Sequence, residues 1–166
     1  MFKALLKYIQ NVQVSDTTKL NSSFAAGSTK LSVMILWKCK PFRDLTVYEL
    51  YAIMRLRNEV FVVEQNCVFQ DADNKDQHCY HFCGWDNDTP VAYVRLVAPG
   101  ISYTEPSIGR VVTSPAYRGN GAGRTLMEKA IEHCGLLFGK NNIRIGAQLY
   151  LKKFYESLGF VQASDV

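Results

Sequence analysis

The chain has 166 residues, 48% of them apolar and 20% charged, which suits one domain with a sizeable core and excludes a disordered chain. Its formal net charge of +4 is mild and its basic residues are scattered, so nucleic-acid binding gets little support, and no apolar stretch approaches membrane-spanning length. The five cysteines (Cys39, Cys67, Cys79, Cys83 and Cys134) form an odd set without a secreted disulfide framework, which points to reduced thiols and a cytoplasmic protein.

Met1 to Val12 reads as a short helix with Leu5, Leu6 and Ile9 on one side, followed by a polar, turn-prone stretch from Ser15 to Ser23. The segment is acid-poor and rich in Ser and Thr, as transit peptides are, but has no Arg before Arg43. We expect residues 1–33 to be a poorly ordered extension, with Met34 as a second candidate start, and residues 34–166 to be the folded domain. Met34 to Lys40 alternates as a first strand. Thr46-Val47-Tyr48-Glu49 is a capping box that opens a helix, and Arg55 to Gln65 continues it or forms a second one, burying Val60, Phe61 and Val63. Asn66 to Gln77 is a polar loop whose Asp71, Asp73 and Asp76 either line an entrance for a cationic substrate or solvate the loop.

Cys79–Trp85 and Val91–Val97 read as a hairpin around Asp86-Asn87-Asp88-Thr89-Pro90. A strand at Ile108–Thr113 leads into Arg118-Gly119-Asn120-Gly121-Ala122-Gly123. A helix follows with Leu126, Met127, Ala130, Ile131, Cys134 and Leu137 at helical spacing and Gly139 as its stop. Ile143–Ala147 is the next strand, Tyr150 to Leu158 a helix closed by Gly159, and Phe160–Ala163 begins a last strand. The predicted order is β-α-α-β-β-β-α-β-α-β, an α/β arrangement on one mixed, mostly antiparallel sheet flanked by helices.

Glycines at a strand-to-helix junction let consecutive backbone N–H groups converge, and the helix N-terminus adds positive potential; together they suit a phosphate or pyrophosphate. A Walker loop fails here, because the earlier Gly would be Arg118 and the lysine is missing. A dinucleotide fingerprint fails as well, since the third Gly would fall on Arg124 or Leu126. What remains is Arg-x-x-Gly-x-Gly at Arg118, Gly121 and Gly123. This pattern resembles the acyl-CoA pyrophosphate loop of the GCN5-related N-acetyltransferases (GNAT).

From Met34 onward the chain resembles that superfamily, and its ElaA-like branch in particular. The branch-level likeness rests on Leu56 to Gln65 (LRNEVFVVEQ), on Asp71 to Asp76, and on Ile108 to Pro115 running into the glycine loop. Phe154-Tyr155-Glu156-Ser157-Leu158-Gly159-Phe160 resembles the superfamily's second signature. The resemblance implies acetyl-CoA as acyl donor, wedged between the splayed strands Ile108–Thr113 and Ile143–Ala147. Its pyrophosphate would meet the amides of Arg118, Gly119, Asn120, Gly121, Ala122 and Gly123, with a charge-assisted contact from Arg124. The Val111-Val112-Thr113 stretch would run beside the pantetheine arm. Gln148 stands where the superfamily often has an Asn, one methylene shorter. The family usually ends on one more strand, a hairpin partner to the strand starting at Phe160, which is missing here; the chain is either a fragment or has a rougher sheet edge.

The resemblance also implies direct transfer of an acetyl group to a primary amine, on a small molecule or a peptide, with Tyr155 protonating the departing thiolate. A base must first take a proton from the amine. Glu64, Asp76, His81 and Tyr93 are candidates, with Glu64 and His81 foremost. Cys79, His81 and Cys83 share one strand face, but three ligands without a second knuckle do not make a zinc site, and Lys75 and Asp76 break an EF-hand pattern in the acidic loop. No metal, nucleic acid or membrane partner is expected, and a homodimer stays open. Two other readings compete. One is a non-catalytic acyl-CoA-binding or sensing module. The other is an autoinducer-synthase-like acyltransferase using S-adenosylmethionine, echoed by Arg57, Phe61, Asp73 and Asp76 but contradicted by Cys67 and Ser107.

Overall fold

The computed structural model describes residues 34–164 and the backbone of Leu5–Asn11. Seven strands lie in one sheet: Leu5–Asn11 (β1), Leu36–Pro41 (β2), Cys79–Asp86 (β3), Thr89–Val97 (β4), Ser107–Thr113 (β5), Asn142–Gln148 (β6) and Val161–Gln162 (β7). Their order is β2-β3-β4-β5-β6-β1-β7, antiparallel at every junction except β5–β6, which is parallel. Among the described residues three helices, Val47–Asn58 (α1), Ala122–Phe138 (α2) and Lys152–Glu156 (α3), flank the sheet.

Strand alternation divides the core between two faces. On one face Ala92, Val94 and Leu96 pack with Ile108, Ile143 and Ile145 beneath Leu126, Met127 and Ala130 of α2. On the other face Cys83, Trp85, Tyr93 and Val112 pack beneath Ile53 and Leu56 of α1. Leu126 and Met127 are fully buried, each contributing about 1.5–3 kcal/mol by area removed from water. Ile108 and Val112 are four residues apart, so pure alternation would put them on one face. They face opposite ways because the β4–β5 register shifts between Tyr93 and Arg95, and Arg110, opposite that shift, adopts φ +55.

The capping box forms as expected: Thr46 Oγ1 accepts from the Glu49 amide at 3.1 Å, and Glu49 Oε2 accepts from the Thr46 amide at 2.9 Å. Past Asn58 the helix widens into a π turn over Glu59–Glu64, in which the Gln65 amide donates to the Val60 carbonyl at 3.0 Å. The wider turn shifts the register of the apolar face. Val60 stays buried, but Val63, expected in the core, is 77% exposed.

The N-terminal segment differs from the predicted helix. Leu5–Asn11 is a strand that pairs antiparallel with the whole of β6, from Leu5↔Gln148 to Asn11↔Asn142. A helix this short is marginal in water, whereas a sheet edge offers a full ladder of backbone partners, and that tertiary gain decides the outcome. β1 also pairs with β7 through Tyr8↔Gln162 and Ile9↔Val161, so the strand after Phe160 has an antiparallel neighbour supplied from the other end of the chain. The rest of the expected extension lies outside the described residues.

Candidate active site

β5 and β6 run parallel and pair only through Ser107↔Arg144 and Ile108↔Ile145. Beyond those residues they diverge, and Gly109–Val111 faces Gly146–Gln148 across a cleft of about 460 Å³. The lining comes from both faces of the sheet. Ile108, Ile145, Ala147 and Tyr155 belong to the α2 side, while Phe61 and Gln65–Phe69 come from the segment that follows α1. The opening therefore passes through the sheet, so two reactants could approach one point from opposite sides.

β5 ends at Thr113, and a short 3-10 turn at Pro115–Tyr117 leads into the glycine turn. Gly119 and Gly121 have φ of +78 and +80, a region that favours glycine. Gly121 caps α2 and no side chain among the described residues caps its amides, so the first N–H groups of a 17-residue helix can meet an anion. A Cβ on Gly123 would come 3.4 Å from Thr113 Oγ1, which shows how closely the helix start approaches β5. Gly121→Ala is expected to lower the stability of the fold by about 1–2 kcal/mol, because a side chain in this left-handed conformation is strained even though the added methyl meets no atom within 4 Å. Calorimetric melts read that loss, and a turn that relaxes to relieve the strain should weaken acyl-CoA binding as well, which titration calorimetry reads.

Arg118 does not stand free at this turn. Its Nε donates to the Thr113 carbonyl at 3.1 Å, and Nη1 and Nη2 clasp the two carboxylate oxygens of Glu64 at 2.6 and 2.7 Å. Glu64, a candidate base, thus ties the π turn to the glycine turn. Next to it, Gln65 Oε1 accepts from Gln148 Nε2 at 3.1 Å across the cleft. Gln148 Oε1 is buried in the cleft wall without a partner among the described residues, which leaves it able to accept a hydrogen bond there. Arg124 reaches Ser157 and Glu128, joining the start of α2 to the end of α3.

The remaining predicted residues do not all converge on the cleft. Val111, Gln148 and Tyr155 line the cleft; Tyr155 is 4% exposed and packs edge-on against Phe154 and Phe160. Val112 instead points into the α1-side core. Gly119, Asn120, Ala122 and Gly123 sit with Gly121 in the turn and at the head of α2. His81 is away from the cleft and 1% exposed; its Nδ1 accepts from the Tyr93 hydroxyl at 2.8 Å and its Nε2–H donates to the Asp76 carbonyl at 3.0 Å. Burial pushes His81 below its ordinary pKa and pushes the Tyr93 phenol far above its own, so both are neutral. No group of three His, Cys, Asp or Glu among the described residues is placed to hold a metal ion.

The acids of the loop neither open to solvent nor line an entrance. Asp76 Oδ1 accepts from Arg57 Nη1 and Arg95 Nη1, each at 2.9 Å. Asp73 binds Arg95 at 2.7 and 2.8 Å and Arg110 at 3.2 Å. Asp71 accepts from Arg57 Nε at 2.9 Å and Arg110 Nε at 2.6 Å. Hydrogen bonds from Arg95 hold the Asp73 carboxyl well below the usual range. Burial alone would raise Asp76, but its two arginines outweigh burial and lower it. A carboxyl depressed by folding adds stability above its unfolded pKa of about 4 and loses it as pH falls through the folded value. His81, also depressed, adds stability above about 6.5 and loses it on acidification. Urea unfolding from pH 8 to 3 should therefore show two successive declines, one below about pH 6.5 and a larger one below about pH 4.

Gln65, Phe69, Arg110 and Tyr150 escaped the sequence reading as cleft residues. The three arginines and three aspartates at matching stoichiometry were a usable signal for the network; the cleft positions of Phe69 and Tyr150 left none.

A parallel strand pair that opens beside a glycine turn and an uncapped helix start defines the fold of acyl-CoA N-acyltransferases. The Acetyltransferase (GNAT) family profile matches residues 47–160. The chain is 41% identical to Protein ElaA of Escherichia coli over 135 residues, covering 80% of this chain and 88% of the relative. It is likewise 41% identical to a UPF0039 protein of Synechocystis over 132 residues, covering 79% and 86%. Among solved structures, Escherichia coli ElaA superposes with a TM-score of 0.77, covering 80% of this chain and 91% of that one. An acyl-CoA N-acyltransferase from Pseudomonas aeruginosa, 40% identical, also gives 0.77, covering 80% and 92%. The chain belongs to the GNAT family as an ElaA-like member, and is an acyltransferase.

Proposed function

We propose that the protein transfers an acetyl group from acetyl-CoA directly to a primary amine. The observation that carries this reading is the cleft through the sheet, bordered by the unpaired edge of β5 and by Tyr155, with the glycine turn just beyond β5. Acetyl-CoA supplies the activated acyl group as a thioester. The residues present fit it. The amides of Gly121–Gly123 offer N–H groups to a diphosphate, and Gln148 Oε1 offers an unpaired acceptor to an amide of the pantetheine arm. Past Ile108, β5 has no partner on its β6 side among the described residues, so its backbone can pair with an extended ligand and place an N–H at the reacting carbonyl. The Tyr155 hydroxyl is the proton donor for the departing sulfur.

No carboxylate or imidazole lines the cleft among the described residues. Proton removal therefore falls to water or to an amine that arrives neutral. The expected pH profile of kcat/KM rises with a slope of one up to the pKa of the acceptor amine, with no inflection between pH 5 and 8 from a protein group. An inflection there that persists when the amine is changed would reinstate a side-chain base.

The same absence supports a second reading, an acyl-CoA-binding module without turnover. Titration calorimetry with acetyl-CoA, combined with thiol release over a panel of amines, separates the two. Binding with amine-dependent thiol release supports transfer; binding without release from any amine supports the module.

A further inference from the structure

The cleft wall on the α1 side carries information about the acceptor, provided the amine-transfer reading above holds. We propose that the acceptor is a monoamine on an aromatic, apolar body, and that Phe69 and Arg110 select it against polyamines and lysine-rich peptides.

The first observation is one of charge. Among the described residues Arg110 is the only charged residue lining the cleft. Asp71, Asp73 and Asp76 lie close by, yet none of them lines it, and each is held by two arginines. The cluster thus presents a guanidinium to the cleft and keeps its carboxylates behind. A substrate with a second ammonium would bring a like charge to a partly desolvated site and find no anion among the described lining residues to receive it.

The second observation is the apolar rim. The Arg110 guanidinium lies 5.4 Å over the Phe69 ring, and Phe69 in turn meets Phe61 at 6.3 Å. Even so, Phe69 is 47% exposed, with Val68 and Tyr150 at the same mouth exposed at 84% and 65%. Apolar surface collected at a cleft mouth is what a bound apolar body would cover. Arg110 Nη1 makes no hydrogen bond among the described residues, since the bonds of this side chain use Nε and Nη2. It therefore leaves a donor free for an oxygen on such a body.

The test compares 2-phenylethylamine, putrescine and spermidine as acceptors with the intact protein and saturating acetyl-CoA, reading thiol release. The expected kcat/KM for 2-phenylethylamine exceeds that for either polyamine by about tenfold or more, the scale set by burying one aromatic ring. Phe69→Ala should raise the KM for 2-phenylethylamine about fivefold and leave the KM for acetyl-CoA in place. Val68→Glu, at an exposed position, should narrow the gap by improving putrescine. Equal or better use of the polyamines by the unaltered protein overturns this proposal alone. Acetyl-CoA binding without thiol release from any amine overturns the transfer reading, and this proposal with it.

Discussion

Asp76→Ala is expected to lower the stability of the fold by about 3–5 kcal/mol, the usual cost of leaving a buried charge without its partner. Arg57 is fully buried and Arg95 is 3% exposed, and both donate to the same Asp76 oxygen. Removing that oxygen strips one ion-pair partner from each guanidinium. The Asp76 carbonyl still accepts from His81 whatever the side chain, so the loss isolates the carboxylate. For a domain of this size the thermal midpoint should fall by roughly 10 °C. Asp73→Asn makes a useful control: its carboxylate is more exposed at 24% and an amide keeps one acceptor, so a smaller loss is expected. Calorimetric melts of the two variants check the ranking. A drop below about 1 kcal/mol for Asp76→Ala would mean that water or the remaining aspartates satisfy the arginines, and that the loop is not clamped as described.

Removing residues 1–12 should disable the acyl-CoA site by taking away the strand that holds β6. β6 has two ladder pairs with β5 and seven with β1. The residues of β6 that form the cleft wall, Gly146, Ala147 and Gln148, pair with Lys7, Leu6 and Leu5 respectively and have no pairing to β5. Without β1 that wall is an unsupported edge, and β7 loses its neighbour as well. The expected result is a loss of acetyl-CoA affinity of roughly a hundredfold, about 2.7 kcal/mol, with a lower thermal midpoint and a tendency to self-associate. A synthetic peptide spanning residues 1–12 added in trans should restore part of the binding. If the trimmed chain binds acetyl-CoA as tightly as the full chain, β6 is held by its packing under α2 alone.

How much of this was legible depended on sequence distance. The Thr46 capping box and the glycine turn were readable because each is set within a few residues by local backbone chemistry. The hairpin from Cys79 to Val97 and the amphipathic α2 were readable from periodicity. The clamp between Arg57, Arg95, Arg110 and the aspartates spans separations of up to 39 residues, and only the folded sheet brings them together. Likewise Glu64 looked like a base because it ends an apolar run; its partner Arg118 lies 54 residues away. The π turn hid the exposure of Val63, since an i→i−5 turn leaves no mark in a period of 3.6. Met1 to Val12 was read as a helix, and its Leu5–Asn11 stretch is a strand, because so short a segment carries little information until a sheet edge is available to it.

The central claim is that the start of α2 and the open edge of β5 together hold an acyl-CoA. Titrating coenzyme A into uniformly ¹⁵N-labelled protein and following backbone amides tests it most directly. The account predicts saturable shifts at Gly119, Gly121, Gly123 and Arg124 together with Val111 and Gln148. Shifts confined to other surfaces, with those amides unmoved at saturation, would contradict it.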